Sequence, residues 1–317
     1  MRSTLAKAVV AGNLREVDRQ AALFLHRLAG RQCPDELLLV TALASKAVGD
    51  GHICLPLEAV AGREMFAPDA QCRFPDRQSL RDKLFSSGVV GNEEDHYPLI
   101  LDKVDRLYFA RHYRAEKLIA EDLLQRSQGI LPIDPAKVSG AIGGLFPDGE
   151  VKDRQRIAVA MAVLKRFVVI SGGPGTGKTH TVARIIALHQ MLATEKLRVE
   201  LVAPTGKAAA RLEESIARAR KAMGTESTDE VPAEAKTLHR LLGFNPGTGM
   251  YRYDEKNKLH LDLLVIDEAS MIDVELMAAL LSAMPPYAKL IMLGDKNQLT
   301  SVEAVSYTHL TLPTKCR

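Results

Sequence analysis

Eight residues constrain this chain more tightly than any others: GGPGTGKT at positions 172–179, which satisfies G-x-x-x-x-G-K-[ST] with Gly172, Gly177, Lys178 and Thr179. The physical demands of that pattern are specific. Glycines let the backbone curl until several N–H groups face one phosphate, and a helix starting near Lys178 adds the positive end of its dipole. The lysine neutralises β- and γ-phosphate charge while the threonine hydroxyl ligates magnesium. Gly172, Gly173, Pro174, Gly175, Thr176, Gly177, Lys178 and Thr179 are therefore read as a cradle for ATP and Mg2+. The apolar FVVIS before them and TVARIIALHQ after them supply the strand and helix that such a turn must join.

RFVVISG (166–172) is the first of four similar apolar runs, followed by RVELVAP (198–204), LDLLVIDEA (261–269) and AKLIMLGD (288–295). Short continuous runs separated by helix-like stretches predict parallel strands covered by helices on both faces, hence an α/β fold. In such a sheet the ligand lies beyond the carboxyl ends of the strands. There, Asp267 and Glu268 close LLVIDEAS (263–270), one carboxylate to hold the metal through water and its neighbour to act as general base. Gln298 in LGDKNQL (293–299) either senses the γ-phosphate or belongs to a loop with a helix cap at Asp295.

Three weaker signals each have two readings. Thr205, Gly206 and Lys207 in APTGKAAARL (203–212) offer a hydroxyl, an amide and a cation to a phosphodiester, or simply start a capped helix. Gln155, in DRQRIAVAMAVL (153–164), offers an amide to an adenine edge, or is an exposed helical glutamine. Thr237, His239 and Arg240 in TLHRLLG (237–243) suit a nucleic-acid strand, or are an ordinary surface group.

The front of the chain carries no catalytic signature. LREVDRQAALFLHRLA (14–29), DELLLVTALASKAV (35–48) and RAEKLIAEDLLQR (114–126) have helical spacing, whereas GHICLPL (51–57) and HYPLILDKVDRLYFARHY (96–113) read as extended pieces around turns. This predicts a small helix-rich, partner-docking domain over 1–126, a connector rich in glycine and proline over 127–153 with room for one short helix, and a nucleotide-binding domain over 154–304. The formal charge of +3, from 42 basic and 39 acidic residues, demands no polyanion partner by itself. No apolar run reaches the ~18–20 residues that span a bilayer. Cys33, Cys54, Cys72 and Cys316 are too scattered for a CxxC metal or redox pair.

Taken in order, GGPGTGKT, APTGKAAARL, TLHRLLG, LLVIDEASMID and LGDKNQLTSVEA resemble motifs I, Ia, Ic, II and III of superfamily 1 helicases. Their wording is most similar to the RecD family, the alpha subunits of bacterial exodeoxyribonuclease V. That resemblance implies a RecA-like P-loop NTPase domain in an ATP-dependent, 5′-to-3′ motor on single-stranded DNA. It also implies a heterotrimer with RecB-like and RecC-like subunits, acting in DNA repair and recombination in the bacterial cytoplasm, with the nuclease centre outside this chain.

Carried over by position, Gln155 contacts adenine, Lys178 and Thr179 the phosphates and magnesium, Asp267 and Glu268 the metal and water, and Gln298 the γ-phosphate. Thr205, Lys207, Thr237 and His239 become DNA contacts. His180 departs from the threonines usual after the P-loop lysine, one place beyond the magnesium ligand.

The segment VSYTHLTLPTKCR (305–317) also departs from the family, which continues after SVEA into a second RecA-like domain. It is read as a non-native tail on a truncated chain, with a divergent native terminus as the alternative. On the first reading these 317 residues bind ATP but turn it over slowly. The rival function is an ATP-responsive assembly subunit that moves no strand.

Overall fold

The computed structural model describes residues 2–30, 33–66, 72–129, 131–146, 153–173, 177–223, 231–232 and 234–294. They divide into two units, one running to Lys117 and one beginning at Leu118.

The first unit opens with α1 (Arg2–Val10), α2 (Glu16–Ala29) and α3 (Asp35–Gly49). A buried carboxylate bolts α2 to α3. Asp18 accepts from the Arg15 guanidinium at 2.7 Å and from the Ser45 hydroxyl of α3 at 2.7 Å, while the Arg15 backbone N–H donates to it at 2.9 Å. Next come β1 (Cys54–Pro56), β2 (Glu64–Met65), β3 (Cys72–Arg73), α4 (Arg77–Phe85), β4 (Val90–Gly91), β5 (Leu99–Leu101) and β6 (Arg106–Phe109), leading into α5 (Ala110–Ser127). The helical expectation therefore holds beside a four-stranded sheet ordered β1-β6-β5-β4. Leu38, Leu57, Leu80, Leu84 and Leu99 fill its core. Among the described residues no helix is long and apolar enough to cross a membrane.

The second unit contains α6 (Pro135–Leu145), α7 (Asp153–Leu164), β7 (Phe167–Ser171), α8 (Lys178–Leu192), β8 (Val199–Ala203), α9 (Gly206–Met223), β9 (Lys236–Thr237), α10 (Leu238–Leu242), β10 (Leu263–Ile266), α11 (Val274–Ala283) and β11 (Lys289–Gly294). Its sheet runs β7-β11-β10-β8-β9, and every pairing is parallel. All four residues of β10 are buried, as a central strand of a covered sheet requires. The four apolar runs have become the four main strands, and the α/β architecture is as expected.

The boundary between the two units falls within α5, and Arg126, near the end of that helix, belongs to the second unit. Its guanidinium donates to the carbonyls of Ala288 at 2.5 Å and Pro285 at 3.3 Å and pairs with Asp122 at 2.5 Å. Part of the expected connector is helix α6, whose Val138 packs with Phe146, Val182 and Ile186 in the second core. Pro135, counted as a breaker, sits at the start of α6 behind the Asp134 cap, which accepts from the Ala136 N–H at 2.9 Å. A proline there begins a helix, since its fixed φ suits the first turn and its missing N–H costs nothing.

Candidate active site

The chain leaves β7 at Ser171, and the Gly172 N–H donates to the Gly294 carbonyl of β11 at 3.2 Å, extending the pairing to the last residue before the turn. Pro174, Gly175 and Thr176 lie outside the described residues, as do Gln298, Asp295 and the tail at 305–317. The turn closes at Gly177, whose φ of +81° is left-handed and which caps α8. Glycine suits this position because a side chain would be strained at that φ; a Cβ would also stand 2.8 Å from the Gln155 amide nitrogen, which would have to swing aside. The Thr181 N–H and hydroxyl both donate to the Gly177 carbonyl, at 3.0 and 3.1 Å, fixing the first turn of α8.

Lys178, the first residue of α8, folds its ammonium onto the turn, donating to the carbonyls of Gly172 and, at 3.2 Å, Gly173. Across the sheet, β11 alone separates β7 from β10, so Val169, Met292 and Ile266 form one row. Asp267 therefore emerges from β10 level with the P-loop. Its own N–H donates to Val202 of β8 at 2.9 Å, and its carboxylate accepts from the Glu268 N–H at 2.9 Å. Burial raises the Asp267 pKa from the ordinary carboxylate value, and the nearby Lys178 charge and the Glu268 N–H work against that rise. A partly desolvated carboxylate facing an ammonium gains from a second cation.

Glu268 has φ +50° and ψ +40°, a left-handed conformation that a non-glycine residue adopts at a cost of about 1–3 kcal/mol. It stands at the kink between β10 and a short 3-10 turn over Ala269–Met271. Thr179 follows Lys178 on the first turn of α8. With Asp267 it makes a hydroxyl-plus-carboxylate oxygen donor set that fits a magnesium ion, which keeps several waters and takes few protein ligands. Among the described residues no group of three or more His, Cys, Asp or Glu side chains is placed to cage a metal.

Gln155 on α7 lies against Gly177, and its carbonyl oxygen accepts from Arg184 of α8 at 3.4 Å. Sequence reasoning missed Arg184. Its guanidinium stacks 4.6 Å from the Phe146 ring centroid, and its only sequence signal was a charge on the helix after the P-loop.

The residues singled out as DNA contacts form a separate group at the same end of the sheet. Ala203 of β8 pairs with Thr237 of β9, so the starts of α9 and α10 lie side by side. Thr205 accepts from the Ala208 N–H at 3.2 Å and Thr237 from the Arg240 N–H at 3.3 Å. Both hydroxyls thus serve as helix caps, the plainer of their two readings. Lys207 and His239 are exposed.

Comparison with known proteins bears on both units. The family described as RecBCD enzyme subunit RecD, N-terminal domain, matches residues 10–108, and an AAA domain family matches residues 155–304. RecBCD enzyme subunit RecD of Haemophilus influenzae is 43% identical over 324 residues, covering 92% of this chain and 50% of that protein. The chain belongs to the RecD family. A second member, from Mycolicibacterium smegmatis, is 36% identical over 84% of this chain and 47% of its own length. The ATP-dependent RecD2 DNA helicase of Deinococcus radiodurans is 35% identical over 63% of this chain and 25% of its own. The chain thus spans about half the length of the RecD relatives it matches.

Proposed function

We propose that this chain is the ATP-binding part of a DNA helicase subunit, working 5′ to 3′ on single-stranded DNA within a RecBCD-like complex in bacterial break repair and recombination. The observation that carries the reading is the apposition of Lys178, at the P-loop, with a partly buried Asp267 at the tip of β10.

The residues divide the work by position. Lys178 exchanges the carbonyls of its own loop for β- and γ-phosphate oxygens, and the N-terminal end of α8 adds to the field. Glu268 takes the proton of the attacking water, from a kinked backbone that holds it beyond the strand tip. Thr179 and Asp267 would hold Mg2+, which, when bound, draws negative charge from the phosphates. Gln155 borders the adenine side, and Gln298, by resemblance, senses the γ-phosphate. Thr205, Lys207, Thr237 and His239 line the DNA side, the two threonines through the helix ends they cap. The first unit docks a RecC-like partner, with RecB-like and RecC-like chains completing a heterotrimer in the cytoplasm.

Lys178→Ala tests the site. Loss of a charge-assisted contact worth ~1.5–3 kcal/mol should weaken Mg-ATP binding about ten-fold or more without unfolding the protein. Equal affinity in a folded variant rejects the site. ATP turnover that single-stranded DNA accelerates in the RecB- and RecC-containing assembly, and that Lys178→Ala reduces, separates a motor from a subunit that merely responds to nucleotide.

A further inference from the structure

The turn after α10 gathers aromatic rings that the nucleotide site does not use. Gly243 ends α10 with φ +66°, and the Phe244 N–H returns to the His239 carbonyl at 2.9 Å. This reversal sets the Phe244 ring edge-on to His239, with centroids 5.3 Å apart and planes at 80°. The chain then makes a tight excursion, closed by the Asn245 N–H donating to Met250 at 2.9 Å, which brings Tyr251 back beside them. Tyr251 lies 5.4 Å from Phe244 and 6.2 Å from His239.

These rings are not core. Phe244 keeps 37% of its surface, Met250 beside the cluster keeps 68%, His239 is exposed and Tyr251 is half-buried. Arg240 and Arg252 are exposed next to them in sequence. From Lys236 to His260 there are five basic residues (Lys236, Arg240, Arg252, Lys256, Lys258) against two acidic ones (Asp254, Glu255). Asp273 and Glu275 near Tyr251 are the opposing charges from the neighbouring helix. Aromatic faces with adjoining guanidinium groups match the chemistry of an unpaired nucleotide, which offers a flat base and an anionic phosphate together.

Placement agrees with that chemistry. The strand leading into α10 pairs with β8 at Ala203–Thr237, so the cluster follows from the same sheet end that carries Thr205 and Lys207. We propose that His239, Phe244 and Tyr251 form a platform on which bases of single-stranded DNA stack, with Arg240 and Arg252 meeting the adjoining phosphates. The platform rests on the DNA-binding reading above and adds to it a mode of contact, base stacking, and the residues Phe244, Tyr251 and Arg252, which no motif supplies.

The chain contains no tryptophan, so Tyr251→Trp installs a single fluorescent indole at the platform. The 317-residue protein is titrated with oligodeoxythymidylate and with an abasic strand of equal length. The base-bearing strand should quench the indole and the abasic strand should bind without quenching. Phe244→Ala and the packing-conservative Phe244→Leu should each weaken binding of the thymidylate strand about 5- to 150-fold, the equivalent of ~1–3 kcal/mol per stacked base. Abasic-strand affinity, its salt dependence and ATP affinity should stay unchanged, since phosphate contacts set the salt slope. If the unaltered protein binds both strands equally, or the Phe244 variants lose both equally, the platform is wrong and the DNA reading stands. If it binds neither strand, the DNA reading fails and takes the platform with it.

Discussion

The two ends of the parallel sheet treat polar groups in opposite ways. At the amino ends, charges are matched with partners. Arg198 clasps Asp262 through guanidinium bonds of 2.8 and 3.0 Å, joining the starts of β8 and β10. Lys289, at the start of β11, donates to the Val163 carbonyl at 2.7 Å and to His189 at 2.9 Å, and Arg126 is sealed between Asp122 and two carbonyls. At the carboxyl ends the groups are under tension. Asp267 is half-buried with its pKa raised, Glu268 is left-handed, and the Lys178 ammonium is curled onto its own loop. Charge at one end locks strands together, and at the other it remains available for exchange with a ligand.

Substitutions that respect this contrast should separate chemistry from stability. The largest effect is expected from Glu268→Gln, which should slow single-turnover hydrolysis of bound ATP by ~10²–10⁴-fold while leaving ATP affinity and melting temperature intact. Unchanged hydrolysis would remove Glu268 from the role of base. At the opposite end, Arg126→Met should destabilise the fold by roughly 3 kcal/mol, the low end for breaking a buried pair because Asp122 keeps some contact with water. Calorimetry should show a fall of about 6–12 °C, with unaltered ATP affinity. A variant that lost ATP binding but not stability would break the comparison.

The smallest effect is one of pH. Burial, and then the Lys289 charge, push the His189 pKa down to about 3. The unfolded chain therefore takes up a proton near the ordinary value of ~6.5 that the folded chain refuses, so stability is complete above that value and is lost as pH falls from there toward 3. His189→Gln keeps an acceptor for Lys289 without titrating. Its melting temperature should fall less than the parent's between pH 7 and 4, and identical slopes would count against the enclosed-charge account.

What was legible in the sequence follows the same division. The P-loop, the DE pair and the four strands were readable because each is a local pattern: a glycine spacing, an apolar run, a polar tip. Helix α6 was legible only as one short helix allowed within the connector, because its glycines and Pro135 look like breakers until Asp134 is recognised as its cap. In the first unit the extended pieces at 51–57 and 96–113 hold β1, β5 and β6, but strands as short as β4 show no alternation, so the pairing of all four into one sheet stayed hidden. Arg184 beside Gln155, and the His239–Phe244–Tyr251 cluster, depend on contacts across a fold that no spacing rule encodes.

The left-handed backbone at Glu268 has a consequence for selection. Any process that rewards thermal robustness alone, whether a directed-evolution screen or consensus design, should favour glycine or asparagine at 268, because both relax a conformation the acidic side chain tolerates poorly. The winners would melt later and still capture ATP, but they would not release it as products. On the proposed function, a screen for stability alone would thus yield a nucleotide trap.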